Sequence, residues 1–309
     1  MIYTVTLNPA LDKTIEITDF KTNCVNRVER ARVDAGGKGI NVSRIVNMLG
    51  TDTLALGILG GHSGQLIIDK LKKEGIKNSF LTTDTATRTN TKIVDYKNNT
   101  YTDINERGIL KDKGAIERLM APLLEKATPD DVVVLSGSLP DGADADTYNR
   151  WIKLLNQKGI KVFFDADKSA LKSGIEAKPY FIKPNIDEFS CALEQDFKTL
   201  IDIKVCAQEL IKNGIKKVAV TLGEGGSILV SENGAYYANP LNIEVKSTVG
   251  AGDSFLAAVA FCEQSGKSDA ETLKFAAAVS TAKVMCEGTS VPDKPVIEEL
   301  LGKIVIEKI

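Results

Sequence analysis

Short apolar runs alternate along this chain with stretches whose apolar positions recur every three to four residues. Thr53–Ile58 precedes Gly64–Glu74, Asp131–Ser136 precedes Ala145–Lys158, and Lys161–Asp165 precedes Lys168–Ile175. The runs have strand length and the stretches have helical period, which predicts an α/β fold: a largely parallel central sheet with helices on both faces. Further strands are expected at Tyr180–Ile182, Lys217–Thr221, Ser227–Val230, Ala235–Tyr237 and Ile243–Val245. Beyond them the chain reads as helix over Ala251–Gln264, Asp269–Cys286 and Pro295–Leu301. Two segments break the alternation. Lys13–Val33 and Arg88–Ile104 are rich in Thr, Val, Ile and Tyr with polar residues between, as in the strands of a small accessory sheet. Both leave the core beside candidate site residues, Asp12 and Arg88, so they are expected to form a β-sheet lid within one domain spanning residues 1–309.

Composition narrows the function classes. With 309 residues there is material for one large α/β unit and a sizeable core. A hydrophobic fraction of 43% without any apolar run near the roughly 18 residues of a membrane span argues against a membrane role. The start, Met1 to Leu7, reads as a strand and not as a signal peptide, so a cytoplasmic protein is expected. A formal net charge of −2 supplies no basic field for nucleic acid, so any anion site has to be local. The five cysteines lack C-x-x-C spacing and His62 is the only histidine, which sets aside structural zinc and histidine-based triads.

The candidate chemistry gathers where predicted strands end. Val249-Gly250-Ala251-Gly252-Asp253-Ser254-Phe255 joins a glycine turn, a carboxylate and the start of an apolar helix. Such a turn aims amide N–H groups into one small volume, the helix adds its positive end, and Asp253 can take a proton from an alcohol. Upstream, Asp12 stands just past the first strand, able to bind hydroxyls. The run Ala35-Gly36-Gly37-Lys38-Gly39-Ile40-Asn41 opens onto a helix with Lys38 and Asn41 facing a ligand. It is not a Walker A loop, because Gly39 stands where Ser or Thr is required; Gly266-Lys267-Ser268 also fails, with Phe261 in place of the first glycine. Ser136-Gly137-Ser138 offers hydroxyls and amides after an apolar strand. In Lys183-Pro184-Asn185-Ile186-Asp187-Glu188, Asn185 and Glu188 lie one helical turn apart, fit either to hold a magnesium hydration shell or to form an N-capping box. Thr221-Leu222-Gly223-Glu224-Gly225-Gly226 fits either a nucleotide-phosphate turn or a hairpin. Taken together, these strand-end motifs favour a nucleotide-dependent kinase.

Gly36-Gly37-Lys38-Gly39-Ile40-Asn41-Val42 and Thr248-Val249-Gly250-Ala251-Gly252-Asp253 resemble the two glycine-rich signatures of the phosphofructokinase B type of sugar kinases, in the ribokinase-like superfamily. The resemblance covers essentially the whole chain. It implies a ribokinase-like fold, ATP and Mg2+, Asp253 as the catalytic base and Gly250, Ala251 and Gly252 as an amide anion hole. Sugar contacts fall to Asp12, Gly37 and Asn41, and Lys38, Arg88 and Ser138 match positions associated with a phosphate already on the sugar. Lys183, Asn185, Thr221, Gly223, Gly226 and Ser247 match the nucleotide side, and Asn185 and Glu188 the magnesium-associated motif. Leu7 to Asp12, Val25-Asn26-Arg27-Val28 and Thr102-Asp103-Ile104-Asn105 look most like the branch acting on ketose phosphates. That branch implies phosphorylation of fructose 1-phosphate at its C6 hydroxyl, with tagatose 6-phosphate as the alternative substrate. Pairing of two copies through the lid sheet is implied as well. Many superfamily members carry Asp where this chain has Ser247, which leaves a monovalent cation without that ligand.

Overall fold

The computed structural model describes residues 1–166 and 168–309. Its elements in chain order are strands β1 (Ile2–Thr6), β2 (Ala10–Ile17) and β3 (Arg30–Gly36), helix α1 (Lys38–Leu49), β4 (Thr53–Gly60), α2 (Gly61–Lys73), β5 (Asn78–Thr83), β6 (Arg88–Asp95) and β7 (Thr100–Asn105). There follow α3 (Ala115–Lys126), β8 (Val132–Ser136), α4 (Thr147–Gln157), β9 (Lys161–Asp165), α5 (Lys168–Glu176), β10 (Phe181–Ile182), α6 (Ile186–Leu193) and α7 (Leu200–Lys212). The last part holds β11 (Lys217–Thr221), β12 (Ser227–Ser231), β13 (Gly234–Ala238), α8 (Ala251–Gln264), α9 (Asp269–Val284), α10 (Lys294–Lys303) and β14 (Ile306–Lys308).

The main sheet has ten strands in the order β14-β13-β12-β11-β10-β9-β8-β1-β4-β5. It is parallel from β11 to β5 and antiparallel across the other edge. Alternation along each strand feeds two cores. Val133 and Leu135 of β8 face the cluster that includes Leu119, Trp151 and Phe189, whereas Val132 and Val134 face the cluster built on Ile45, Phe255 and Val279. Both faces of the sheet are therefore covered, as its near-continuous apolar strands require. A parallel sheet covered in this way collects the loops at its carboxyl edge, where ligands bind in such folds.

Four strands form a second sheet in the order β3-β2-β6-β7. The accessory sheet expected from the two β-rich segments is thus present, with strands that begin earlier, at Ala10, and end later, at Gly36. Its outer strand β7 is exposed along its whole length.

Two expectations need correction. Residues 243–245 form no strand: the edge beside β13 is taken instead by β14, which pairs Tyr236 with Lys308 and Ala238 with Ile306. Glu244 and Val245 lie exposed in an irregular link, so their alternation of polar and apolar types reflects no sheet face. For the same reason the C-terminal part is not wholly helical. The three-residue β14 is too short to leave a periodic signal.

Candidate active site

Helix α1 and helix α8 meet at their N-terminal ends, and the site is built where they do. Gly250 caps α8 with φ 76° and ψ 8°, a left-handed conformation that favours glycine. A Cβ there would come within 3.3 Å of Lys283 Cε. The Ala251 amide closes a turn onto the Thr248 carbonyl at 3.3 Å, and Ser254 bonds back to Gly250. No side chain caps the helix, so its first-turn donors at Gly252 and Asp253 stay open to a ligand. Ser247, from the preceding loop, donates its amide to Val284 at 3.1 Å and turns its hydroxyl to the Val249 amide.

Asp253 is 7% exposed and accepts a hydrogen bond from Asn41 Nδ2 at 2.8 Å. Burial, reinforced by the Asp165 charge and opposed by Lys38, Asn41 and Lys183, pushes its carboxyl up to about 6. A carboxylate so placed is a proton acceptor poised near neutral pH. Asn41 is itself held. Arg44 donates to its Oδ1 at 3.0 Å and to the Ala35 carbonyl at 2.7 Å, and its guanidinium pairs with Glu74.

Lys38, the first residue of α1 behind the Gly37 cap, reaches across to Asp165 at 3.1 Å and Glu188 at 3.8 Å. Burial pulls its ammonium down, but Asp165, Asp253 and Glu188 together hold it above the ordinary lysine range. Lys183 completes the cluster, 3.3 Å from the other oxygen of Asp165, and a Cβ on Gly252 would lie 3.1 Å from its Nζ. Asp165 is nearly inaccessible; burial would raise its carboxyl, yet Lys183 and Lys38 hold it below the usual carboxylate range. Sequence reasoning passed over Asp165. Its signal was an acid at the carboxyl end of the strand Lys161–Asp165.

On the other side, Asp12 of β2 accepts from Asn90 Nδ2 at 2.9 Å, and burial raises its carboxyl. Gly36 lies so close that a Cβ there would overlap the Asp12 carboxylate. Parallel pairing sets Ala10 opposite Arg88 and Asp12 opposite Asn90. Arg88 donates to Asn90 Oδ1, to the Glu106 carbonyl and to the Asn8 carbonyl, while its buried Nε has no partner. Asn8 in turn donates to Ser138 Oγ at 3.1 Å. Arg88, Asn8 and Ser138 thus form a continuous polar wall.

The remaining candidates lie at the neighbouring strand ends. Asn185 and Glu188 form a capping box on α6, the structural alternative allowed by their spacing. Glu188 Oε2 serves that box, and Oε1 is left facing Lys38. Thr221 bonds to Pro184, and Gly223 and Gly226 bracket one 3-10 turn that joins the antiparallel strands β11 and β12 as a hairpin. No cluster of three or more metal-ligating acids, cysteines or histidines occurs among the described residues. A magnesium ion keeping its water shell needs only one or two carboxylates beside phosphates, and Glu188 Oε1, outside the capping box and 3.8 Å from Lys38, suits that role. No helix among the described residues is long and apolar enough to cross a membrane.

The family model for pfkB carbohydrate kinases matches residues 5–296. Among curated relatives, the 1-phosphofructokinase of Vibrio cholerae is 33% identical over 305 residues, covering 99% of this chain and 96% of that protein. The tagatose-6-phosphate kinase of Staphylococcus epidermidis is 33% identical over 311 residues, covering 99% of each. Of the solved structures, phosphofructokinase-2 of Escherichia coli in complex with potassium superposes with a TM-score of 0.93 at 26% identity over 98% of each chain. The match spans both glycine signatures, the open end of α8 and the cluster around Asp253, so the chain belongs to the pfkB family of carbohydrate kinases and is an ATP-dependent sugar kinase.

Proposed function

We propose that the chain phosphorylates the C6 hydroxyl of fructose 1-phosphate, giving fructose 1,6-bisphosphate and ADP. The observation that carries this reading is Asp253, buried at an uncapped helix N-terminus and held by Asn41 beside a pair of lysines. Asp253 accepts the alcohol proton while the open donors at Gly252 and Asp253 receive charge from the moving phosphoryl group; of the amides expected there, that of Ala251 is already turned onto Thr248. Lys38 and Lys183 stand at the same edge, where a nucleotide's phosphates bring negative charge. Thr221, Gly223 and Gly226 flank that edge, with Ser247 in the loop that leads into α8. Glu188, with Asn185 beside it in the capping box, would hold a magnesium ion through its waters, and the ion would supply neutralisation of phosphate charge.

Phosphosugar recognition is assigned to the opposite wall. Asp12, Gly37 and Asn41 address the ring hydroxyls, and Arg88 with Ser138 addresses the existing phosphate. The partnerless Nε of Arg88 supports this, because a buried guanidinium donor without an acceptor is expensive unless a ligand completes it. Lys38 already faces two carboxylates, so Arg88 carries most of the phosphate's neutralisation. The small sheet acts as a lid. It is also the surface through which two copies pair, because Tyr101 and Ile104 stand 71% and 55% exposed on its outer strand. A cytoplasmic location belongs to the same reading, and substrates such as ATP and a metabolic phosphosugar support it.

A coupled ADP-release assay across fructose 1-phosphate, tagatose 6-phosphate and fructose 6-phosphate tests the substrate. Fructose 1-phosphate is expected to give the highest kcat/KM. Tagatose 6-phosphate in first place would favour the second reading, which the Staphylococcus epidermidis relative supports at equal identity. Absence of turnover with all three would overturn the phosphosugar assignment.

A further inference from the structure

Lys283 is a buried cation that none of the roles above uses. It lies in the last turn of α9 and is 3% exposed. Its ammonium donates to the Gly288 carbonyl, and it forms no ion pair among the described residues. Its Cε is the nearest atom to a Cβ built on Gly250, ahead of Asn41 Nδ2 and Asp253 Oδ2. The charged groups around it are Asp253, Arg44 and Arg32, with the Cys286 thiol alongside. Both arginines have carboxylates of their own, Glu74 and Asp34. Lys283 has none.

A charge buried without a counter-ion is costly, and it persists where something else gains from it. What Lys283 faces is the back of the anion turn. The end of α9 is clasped to that turn: Ser280 Oγ donates to the Ala251 carbonyl at 3.1 Å, and the Lys246 and Ser247 amides donate to Val284 at 2.8 and 3.1 Å. The ammonium is therefore fixed relative to Gly250 by two independent anchors. Burial holds it below the ordinary lysine range, while the nearby Cys286 and Asp253 act in the opposite direction.

We propose that Lys283 is a tethered cation behind the anion turn, a positioning residue that holds Gly250 in its left-handed form and balances negative charge arriving at the α8 N-terminus, so that turnover requires no free monovalent cation. The proposal rests on the kinase reading, and its test separates the two.

The experiment uses the full-length chain, measuring ADP release with the best of the three phosphosugars in sodium, potassium and ammonium salts. Wild-type turnover is expected to be the same in all three within about twofold; stimulation of tenfold or so by potassium over sodium would overturn the proposal without touching the kinase reading. Lys283→Gln is expected to lower kcat roughly ten- to a hundredfold, as for other preorganised charges at such sites. The KM values for sugar and ATP should move by less than about threefold, because Lys283 acts through the turn and not on bound substrate. Its acid limb in kcat should move to higher pH, since Asp253 loses a nearby positive charge. In Lys283→Ala, methylammonium or potassium ions are expected to restore part of the lost kcat. Unchanged kcat and acid limb in Lys283→Gln would sink the idea. If neither variant folds, the salt series on the wild-type chain decides alone. No turnover in the wild type with any phosphosugar would instead count against the function itself.

Discussion

Asp253→Asn is expected to cripple catalysis and stabilise the protein at the same time. The carboxyl is pushed up to about 6 by burial, with Asp165 adding to the effect, from an ordinary value of 3.8. Two units correspond to about 3 kcal/mol by which folding disfavours the ionised form, at about 1.4 kcal/mol per unit. Because the folded chain binds this proton more tightly than the unfolded chain, the associated stability is fully present below about pH 4. It is lost as pH rises through 6. Asparagine keeps the shape and still accepts from Asn41, but it carries no charge to desolvate. Denaturant unfolding of the two proteins should therefore give nearly equal stabilities near pH 4 and an advantage of about 3 kcal/mol for Asp253→Asn at pH 7.5, equivalent to about 5 °C in Tm. Turnover should fall by about two to four orders of magnitude. A variant that is no more stable than wild type at pH 7.5, or one whose advantage is independent of pH, would refute the assignment of Asp253 as a strained, desolvated base.

The kcat/KM profile of the wild type should show an acid limb with its midpoint near pH 6, and a limb near 4 would mean that Asp253 is not the titrating group. Asn41→Ala removes a donor that favours the carboxylate, so its limb should move up; Asp165→Asn removes a neighbouring negative charge, so its limb should move down. Asp165→Asn should also destabilise the fold by about 3 kcal/mol at neutral pH, because Lys38 and Lys183 lose their shared counter-ion. That loss should shrink on acidification as the wild-type carboxylate is itself protonated. Arg88→Ala should raise the KM for the phosphosugar roughly 30-fold while leaving that for ATP within about twofold, and equal losses would remove Arg88 from the phosphate site.

Much of the backbone geometry around Asp253 and Asp12 was legible in the sequence, and for a physical reason. Gly250 marks a left-handed turn that favours glycine, and Gly36 a place where the Asp12 carboxylate comes too close for any Cβ. Strand ends announced themselves because the buried strands are continuous apolar runs. What stayed hidden were groups whose roles depend on crossing distance. Asp165 looks like the last residue of a strand until Lys38 and Lys183 arrive from α1 and the end of β10. Lys283 looks like a surface position at the end of an alanine-rich helix, and nothing local tells that Glu271 alone in α9 is exposed. Arg44 and Glu74 are likewise 30 residues apart and meet only through packing. Residues 243–245 misled because alternation alone cannot say whether a partner strand exists.

The parallel register of β2 with β6 puts Asp12, Arg88 and Asn90 on one slab of sheet, while Asp253 belongs to the other body of the molecule. The slab joins that body through four links, residues 7–9, Gly37, residues 84–87 and residues 106–114, and Arg88 is bonded to Asn8 within the first of these. On the proposed reading, in which this sheet is the lid and Arg88 meets the phosphate of the sugar, gripping the sugar and shutting out solvent become one mechanical act. A ligand that pulls on Arg88 tugs at the pivot itself, so a sugar lacking its phosphate would leave the door ajar even when every hydroxyl contact is made.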